Sequence, residues 1–114
     1  MKNRLLLFIG AIALFSFTIG GGGKSKSTFK VYGICGMCET TIEKTLNDVD
    51  GIAWADWELE TLELTVKYDE SIISLEQIKQ RLADVGYDSD SHRATEDAYN
   101  NLHACCKYER PAKN

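Results

Sequence analysis

Alternating apolar and polar positions predict three β-strands, each with one face turned to a core. They cover residues 28–32, 52–59 and 61–68, and the third is the most regular, because every second residue from 62 to 68 is apolar or aromatic. The join between the last two strands is short, so they should form a hairpin. A more polar segment, residues 87–93, predicts a fourth and weaker strand at a sheet edge.

Two other segments repeat their apolar residues at helical spacing. The first runs from about residue 38 to residue 47 and ends in the turn sequence DVDG. The second covers residues 74–86 and has a signal at each end. Ser74 is followed three residues later by Gln77, which is the pattern of a capping box. Gly86 suits the left-handed conformation that commonly ends a helix.

The predicted order of elements is therefore β-α-β-β-α-β. Two right-handed βαβ units in this order interleave into one antiparallel sheet. We predict an α+β, ferredoxin-like sandwich in which a four-stranded antiparallel sheet carries two helices on one face. The other face would be open to water, in agreement with the one-sided patterning of both middle strands.

The N-terminal segment has the pattern of a secretory signal. A short positive stretch, residues 1–4, precedes the almost wholly apolar residues 5–19. The apolar run is shorter than the ~20 residues that a membrane-spanning helix needs. A retained anchor stays open as an alternative, because no clear cleavage site is visible. We expect an exported protein that is periplasmic, or anchored at the outer face of the inner membrane.

A segment rich in glycine and serine, residues 20–27, separates this leader from the patterned part of the chain and predicts a flexible linker. Beyond the fourth strand, residues 94–102 predict a short helix, capped by Thr95 or Asp97, that lies outside the fold. The predicted organisation is a signal peptide or anchor with linker at residues 1–23, a folded domain at 27–93 and a C-terminal tail at 94–114.

The charge of the chain excludes one class of partner. It has 13 basic and 17 acidic residues and a net charge of −4. Removal of Lys2 and Arg4 with the leader leaves 11 basic residues and a net charge near −6. Because phosphate contacts dominate the affinity for nucleic acids, we predict no nucleic-acid partner. Contact with a membrane is expected only if the leader stays uncleaved.

The candidate chemistry lies where the first strand gives way to the first helix. Cys35 and Cys38 flank two residues there, and Cys38 falls in the first helical turn, where free N–H groups favour a thiolate. Two thiolates from one loop suit a soft ion such as Cu(I), or Zn(II). Gly33 and Gly36 let the loop fold around an ion. In an oxidising compartment a disulfide between the two cysteines stays open as an alternative.

A redox role is the sharpest alternative to metal binding. CGMC is similar to the dithiol of thioredoxin-like oxidoreductases, which also opens a helix after a strand. However, the element order lacks room for that sheet, and the single proline, Pro111, lies in the tail. Covalent haem attachment needs histidine after the second cysteine, where this chain has Glu39. We see no Ser/His/Asp set and no phosphate loop, and predict that the protein is not an enzyme.

Residues 28–92 resemble the heavy-metal-associated (HMA) domain, the module of copper chaperones, of the N-terminal arms of copper-transporting P-type ATPases and of periplasmic mercury-binding proteins. The family pattern is G-M-x-C-x-x-C after the first strand, and YGICGMC keeps the glycine-bearing loop with Cys35 and Cys38. VDGI at residues 49–52 resembles the family's helix-to-strand turn, and DVGYD at residues 84–88 resembles its aromatic segment.

The resemblance also implies roles for residues around the two thiols. Gly33 stands where the family has a methionine that packs under the loop, and Met37, between the cysteines, is not its equivalent. Tyr87 matches an aromatic residue that approaches the metal loop in the family. We therefore expect Gly33, Met37 and Tyr87 to lie beside the bound ion without binding it. For Tyr87, a role as an aromatic cover on the core is equally compatible.

The tail carries a second cluster of soft ligands, His103, Cys105 and Cys106. Adjacent cysteines chelate one ion awkwardly, because neighbouring side chains diverge. A strained vicinal disulfide, or an inert pair, is an open alternative. We predict that this cluster is an auxiliary soft-metal site or supplies a third ligand to the ion at Cys35 and Cys38.

The resemblance implies metal carriage, in which thiolates take an ion from one partner and pass it to another. Two protein thiolates leave the coordination incomplete, so a partner's thiols can enter, unlike in a closed four-ligand site. The expected ion is Cu(I), with Hg(II) or Zn(II) as alternatives. The expected partner is a metal-transporting membrane protein or another metal carrier. A thiol–disulfide oxidoreductase and a mercuric-ion scavenging protein are the alternative functions.

Overall fold

The structure, a computed structural model, describes residues 24–113, so the signal peptide or anchor predicted at residues 1–23 lies outside the described residues. The elements, in chain order, are β1 (Lys24–Lys30), α1 (Gly36–Asn47), β2 (Ile52–Glu58), β3 (Glu63–Asp69), α2 (Leu75–Asp84), α3 (Glu96–Asn100) and a short 3₁₀ turn (Ala104–Cys106). This arrangement agrees with the α+β class and with the predicted order of the first five elements.

The sheet within residues 24–113 has three strands in the order β1-β3-β2, and both pairings are antiparallel. Phe29 and Trp57 both lie opposite Leu64, so three buried side chains form a row across the core face. The predicted hairpin between β2 and β3 is confirmed. Strand β3 begins two residues later than predicted, because Leu62 has φ 63° and belongs to the turn.

The fourth strand predicted at residues 87–93 does not form as a strand in the described part of the chain. One isolated bridge joins Val31 to Ser89, supported by a 2.9 Å hydrogen bond from Tyr32 N–H to the Asp88 carbonyl oxygen. The backbone then turns, and Ser89 N–H donates to the carbonyl oxygen of His92 at 2.8 Å. Serine and aspartate favour such turns over sheet, which explains why this polar segment leaves the sheet edge.

Strand β1 begins earlier than the predicted residue 28. Residues 24–27, which we assigned to the flexible linker, pair with residues 66–69 of β3. Their polar side chains gave no alternation to detect. Residues 24–27 join the sheet because the edge of β3 offers backbone hydrogen-bonding partners to them.

Both main helices form where the apolar spacing placed them. Helix α1 begins at Gly36, two residues before the predicted start. Helix α2 confirms the capping box: the Ser74 side chain accepts from the Gln77 N–H at 3.1 Å, and the Gln77 side chain accepts from the Ser74 N–H at 2.9 Å. Gly86, just beyond α2, has φ +109° as predicted.

One hydrophobic core joins the helices to the inner face of the sheet. Its central members are Ile42 and Leu46 of α1, Ile78 and Leu82 of α2, and Phe29, Trp57, Leu64 and Val66 of the sheet. Two residues of the C-terminal tail, Cys106 and Tyr108, belong to the same core, so the expectation that the tail lies outside the fold is wrong. Between residues 24 and 113, none of the helices has the length and apolar character needed to cross a membrane.

Candidate metal centre

Cys35 occupies the N-cap position of α1. Its backbone is extended (φ −156°, ψ 178°), and its carbonyl oxygen accepts from the N–H groups of Cys38 (2.9 Å) and Glu39 (3.2 Å). The half-buried thiol therefore faces the unpaired N–H groups of the first helical turn. The nearby N–H groups of Cys38 and Met37 lower the pKa of the Cys35 thiol below its ordinary value, although neither makes a regular capping hydrogen bond to it. The geometry favours a thiolate at this position.

Cys38 lies one turn further on and is fully buried. Its Sγ is 4.0 Å from Cys35 Sγ and accepts a 3.5 Å hydrogen bond from the Ile34 N–H. Each of the four cysteines in the chain is a free thiol. The loop thus presents two sulfur atoms side by side, one enclosed and one reachable from solvent.

Trp57 of β2 supports the loop from below. A Cβ atom placed on Gly33 would lie 3.0 Å from two ring carbons of Trp57 and 3.2 Å from the Cβ of Cys38. The indole Nε1–H donates to the Val31 carbonyl oxygen at 2.9 Å, which fixes the ring in place. The indole therefore fills the space under the loop, and any side chain at position 33 would require the indole or Cys38 to shift by a few tenths of an ångström. The sequence gave no signal that Trp57, which lies in the strand predicted at residues 52–59, packs against the loop.

Two residues expected beside the ion lie near the thiols in different ways. Met37 is 48% exposed, and its Sδ accepts from the Cys105 thiol at 3.4 Å. Tyr87 is fully buried, and its hydroxyl has no hydrogen-bond partner among the described residues. Burial is the main cause that raises the pKa of the Tyr87 phenol, and the neighbouring thiols of Cys38 and Cys106 raise it further. Tyr87 therefore remains neutral beside the sulfur cluster.

The tail brings its cysteines onto the loop. The sulfur atoms of Cys35, Cys105 and Cys106 all lie within 4.8 Å of one another. The Cys35 thiol donates to the Cys105 carbonyl oxygen at 3.4 Å. The two adjacent side chains, expected to diverge, converge on Cys35 because they lie in a 3₁₀ turn. His103, the third predicted tail ligand, is exposed and lies outside this set.

A buried tyrosine anchors the tail to the domain. The Tyr108 hydroxyl donates to the Gly86 carbonyl oxygen at 2.7 Å and accepts from the Asp88 N–H at 2.9 Å. Its ring stacks on Tyr87 with centroids 6.1 Å apart and meets Tyr99 edge-on at 5.1 Å. Tyr108 is separated from Cys106 by one residue, so its placement holds the tail sulfurs near the loop.

An ion pair between Arg110 and Asp88 also holds the tail against the domain. The Arg110 guanidinium donates to both carboxylate oxygens of Asp88, at 2.9 and 2.8 Å, and to the Ala94 carbonyl oxygen at 2.6 Å. The Asp88 carboxylate also accepts from the Ala94 N–H at 2.7 Å. Burial alone would raise the pKa of Asp88, but these hydrogen bonds outweigh it and hold the pKa below its ordinary value. Neither Tyr108 nor Arg110 was singled out from the sequence.

Comparison with known proteins gives matches centred on the loop and the sheet. Residues 28–88 match the family model described as the heavy-metal-associated domain. The copper chaperone CopZ of Staphylococcus aureus (strain JH9) is 41% identical over 54 residues, which cover 47% of this chain and 79% of that protein.

Solved structures give the same match. A CopZ metallochaperone superposes with a TM-score of 0.55 at 38% identity, covering 57% of this chain and 98% of that chain. Oxidized MerP from Ralstonia metallidurans CH34 gives 0.57 at 29% identity, with 60% and 96% covered. The N-terminal domain of a potential copper-translocating P-type ATPase from Bacillus subtilis, in the Cu(I)-loaded state, gives 0.56 at 28% identity, with 64% and 100% covered.

Proposed function

The chain belongs to the heavy-metal-associated domain family, and from that premise we propose that it carries a soft metal ion, Cu(I) in the first place, on Cys35 and Cys38. The ion is cargo: it is taken up from one protein and passed to another by exchange of thiolate ligands. Each thiol that binds the ion releases its proton to solvent.

The observation that carries this proposal is the placement of the two sulfur atoms. They lie 4.0 Å apart at the start of α1, close enough to bind one ion together. The N–H groups that lower the pKa of Cys35 favour the thiolate, which is the form that binds metal. Soft thiolate ligands select ions such as Cu(I) over hard ions such as Mg²⁺ or Ca²⁺.

The similar proteins support the same ion and the same kind of partner. One is named a copper chaperone, and another is a domain of a potential copper-translocating P-type ATPase solved with Cu(I). We therefore propose that this protein exchanges its ion with a metal-transporting membrane protein or with another carrier. These are binding and transfer roles, so we propose no enzymatic activity.

The test is a Cu(I) competition titration under anaerobic conditions. The parent protein, without its leader, competes with a chromogenic Cu(I) chelator, and Cys35→Ser/Cys38→Ser is compared with it. Thr40→Ser, a substitution of similar size on the same helix, serves as the control. We expect strong binding by the parent and the control and its loss in the double variant. Equal copper uptake by the parent and the double variant would exclude the proposed site.

Two further measurements separate the alternatives. Competition with Hg(II) and Zn(II) in the same titration ranks the ions. An insulin-reduction assay tests for thiol–disulfide oxidoreductase activity, for which the metal-binding proposal expects no rate above the uncatalysed reaction. A clear rate that depends on Cys35 would favour the redox function.

We also propose that the domain acts outside the cytoplasm, on the leader pattern of residues 1–19. A fusion of the full chain to alkaline phosphatase, which becomes active only after export, tests this. We expect activity with the leader and none when residues 1–19 are deleted. Activity in neither fusion would place the protein inside the cell.

A further inference from the structure

The tail cysteines and Cys38 all approach one sulfur atom, that of Cys35. Cys35 Sγ lies 4.0 Å from Cys38 Sγ and also within 4.8 Å of the sulfur atoms of Cys105 and Cys106. We propose that the tail is part of the metal centre: one soft ion, bound by Cys35 and Cys38, takes a third thiolate from the Cys105–Cys106 pair. This inference rests on the proposed function, because it concerns the same ion.

The distances between sulfur atoms favour three-coordination over two. With a metal–thiolate bond of about 2.3 Å, two sulfurs on opposite sides of an ion lie roughly 4.6 Å apart, and three in a plane lie roughly 4.0 Å apart. The observed separation of Cys35 and Cys38 is 4.0 Å. The loop pair therefore has the spacing of two ligands in a trigonal site, and Cys35 is the loop sulfur that groups with both tail sulfurs.

The tail lies beside both loop sulfurs. The Cys35 thiol donates to the Cys105 carbonyl oxygen at 3.4 Å, and the Cys38 thiol lies 4.0 Å from the Cys106 carbonyl oxygen. The two tail residues thus flank the loop sulfurs from outside. The tail sulfurs themselves lie within 4.8 Å of Cys35 Sγ, so a side-chain movement of the tail would bring one of them to an ion held by Cys35 and Cys38.

The position of the tail is held by buried groups. Cys106 and Tyr108 are 1% and 3% exposed, and Arg110 pairs with the buried carboxylate of Asp88. Such contacts position a ligand as the groups around a metal site do, by limiting the conformations that its side chain can reach. The third thiolate is therefore preorganised, and little conformational entropy is lost when it binds.

This arrangement has a consequence for transfer. In a site with two protein thiolates, an acceptor's thiol enters at the open position. Here the tail already fills that position, so an acceptor must displace a tail thiolate before it can take the ion. We infer that the domain holds its ion more tightly, and releases it more slowly, than the loop alone would.

The experiment compares three proteins without their leader: the parent, Cys105→Ser/Cys106→Ser, and Ala104→Ser as a matched control in the same turn. Each is loaded anaerobically with one equivalent of Cu(I). X-ray absorption then gives the number of sulfur neighbours per copper. We expect three in the parent and the control and two in the double variant. Competition with the chelator should show Cu(I) affinity weaker by about 100-fold in the double variant, the lower end of what a linked binding group contributes.

Three results would overturn the inference. Two sulfur neighbours in the parent would show that the tail covers the site without binding. Unchanged affinity in the double variant would have the same meaning. A parent that binds two Cu(I) ions, with one lost in the double variant, would show a separate tail site. Failure of the proposed function differs from all three, because the parent would then bind no Cu(I) that depends on Cys35 and Cys38.

The rate at which the proteins release Cu(I) to an acceptor gives an independent test of the inference. The Cu(I)-loaded proteins are mixed with a small dithiol acceptor such as dithiothreitol, and loss of the copper–thiolate absorption is followed in time. The double variant should release its ion faster than the parent by at least about tenfold, because most of the lost affinity is expected in the dissociation rate. Equal release rates would contradict the displacement step. Urea unfolding of the metal-free proteins shows that each is folded under the assay conditions; the midpoint of the double variant is expected to be lower, because serine replaces the buried Cys106.

Discussion

Replacement of Arg110 by methionine should destabilise the domain strongly, although this residue lies four positions from the end of the chain. The side chain of Asp88 is 1% exposed, and that of Arg110 is 11% exposed. The variant Arg110→Met keeps an aliphatic side chain over the Tyr99 ring but removes the guanidinium. The Asp88 carboxylate then keeps only the Ala94 N–H as a partner.

The size of the loss follows from the burial of the pair. Removing one partner of a buried ion pair costs about 3–5 kcal/mol, since the other charge is left without compensation. We expect about 3 kcal/mol at pH 7, because Arg110 retains some contact with solvent. With a urea dependence of about 1.5 kcal/mol per molar, the midpoint of urea unfolding should fall by about 2 M.

The pH dependence of the stability difference shows whether loss of the Asp88–Arg110 ion pair is its cause. In the parent the pKa of Asp88 is lowered, so its ion pair stabilises the fold above the ordinary carboxyl pKa of about 3.9, and this contribution is lost as the pH falls through the native pKa. In the variant the unpaired, buried carboxylate has a raised pKa and binds a proton more readily than the unfolded chain. Acidification therefore stabilises the variant relative to the parent, and the difference in stability should shrink as the pH falls through the raised pKa of the variant and on toward the lowered pKa of the parent.

Urea unfolding followed by tryptophan fluorescence at pH 7, 5 and 3.5 measures both effects. Arg93→Met is the matched control, because it removes an exposed hydrogen bond to the Pro111 carbonyl oxygen. The control should change stability by less than about 0.5 kcal/mol. A loss below about 1 kcal/mol for Arg110→Met, or a difference that stays constant with pH, would refute the assignment of a buried ion pair.

Three further predictions concern the loop, α2 and the sulfur cluster. Gly33→Met should cost about 1–3 kcal/mol by overpacking against the Trp57 ring, and Trp57→Leu in the same chain should recover part of it. Additive losses in a double-mutant cycle of urea midpoints would argue against that contact. Ser74→Ala should cost about 1 kcal/mol in the same assay, because it removes the hydroxyl that accepts from the Gln77 N–H, although the backbone N–H at position 74 can still donate to the Gln77 side chain; an unchanged midpoint would contradict this. Tyr87→Phe should leave the metal-free protein equally stable or up to about 1 kcal/mol more stable, because the buried hydroxyl lacks a partner among the described residues; a loss above about 1 kcal/mol would reveal a missing partner.

Local signals in the sequence predicted the elements that depend on local interactions. The capping box at Ser74 and Gln77 is formed by residues three positions apart, so no knowledge of the fold was needed to predict it. The apolar spacing of α1 and α2 and the alternation in β3 likewise predicted the faces that are buried. The pair of cysteines at the start of α1 was recognised as a candidate site because it lies between a predicted strand and a predicted helix.

The tail could not be placed in this way. Tyr108 packs on Tyr87, and Arg110 pairs with Asp88, across separations of more than 20 residues. Neither residue belongs to a periodic pattern, so the sequence gives no indication of which face or partner it contacts. The tail cysteines were recognised as ligands from their chemistry, but their approach to Cys35 depends entirely on these distant contacts.

The packing under the loop was missed for a related reason. Gly33 stands where the family has a methionine, and the sequence gave no indication of what fills the space under the loop in its place. Trp57, which comes from a strand 24 residues later, occupies it instead. A substitution at one position and its compensation at another can be connected only when both are seen together in the fold.

The shortened sheet and the position of the tail cysteines have the same structural origin. A fourth strand that continued to residue 93 would run antiparallel to β1 and away from the loop, by about 3.3 Å per residue. The chain turns after the bridge at Ser89 instead, and Asp88 then reaches both Ala94 and Arg110. The turn keeps the following residues at the loop end of the sheet, where a tail as short as this one can return to Cys35. The turn after Ser89 therefore starts the tail close to the loop whose cysteines it later reaches.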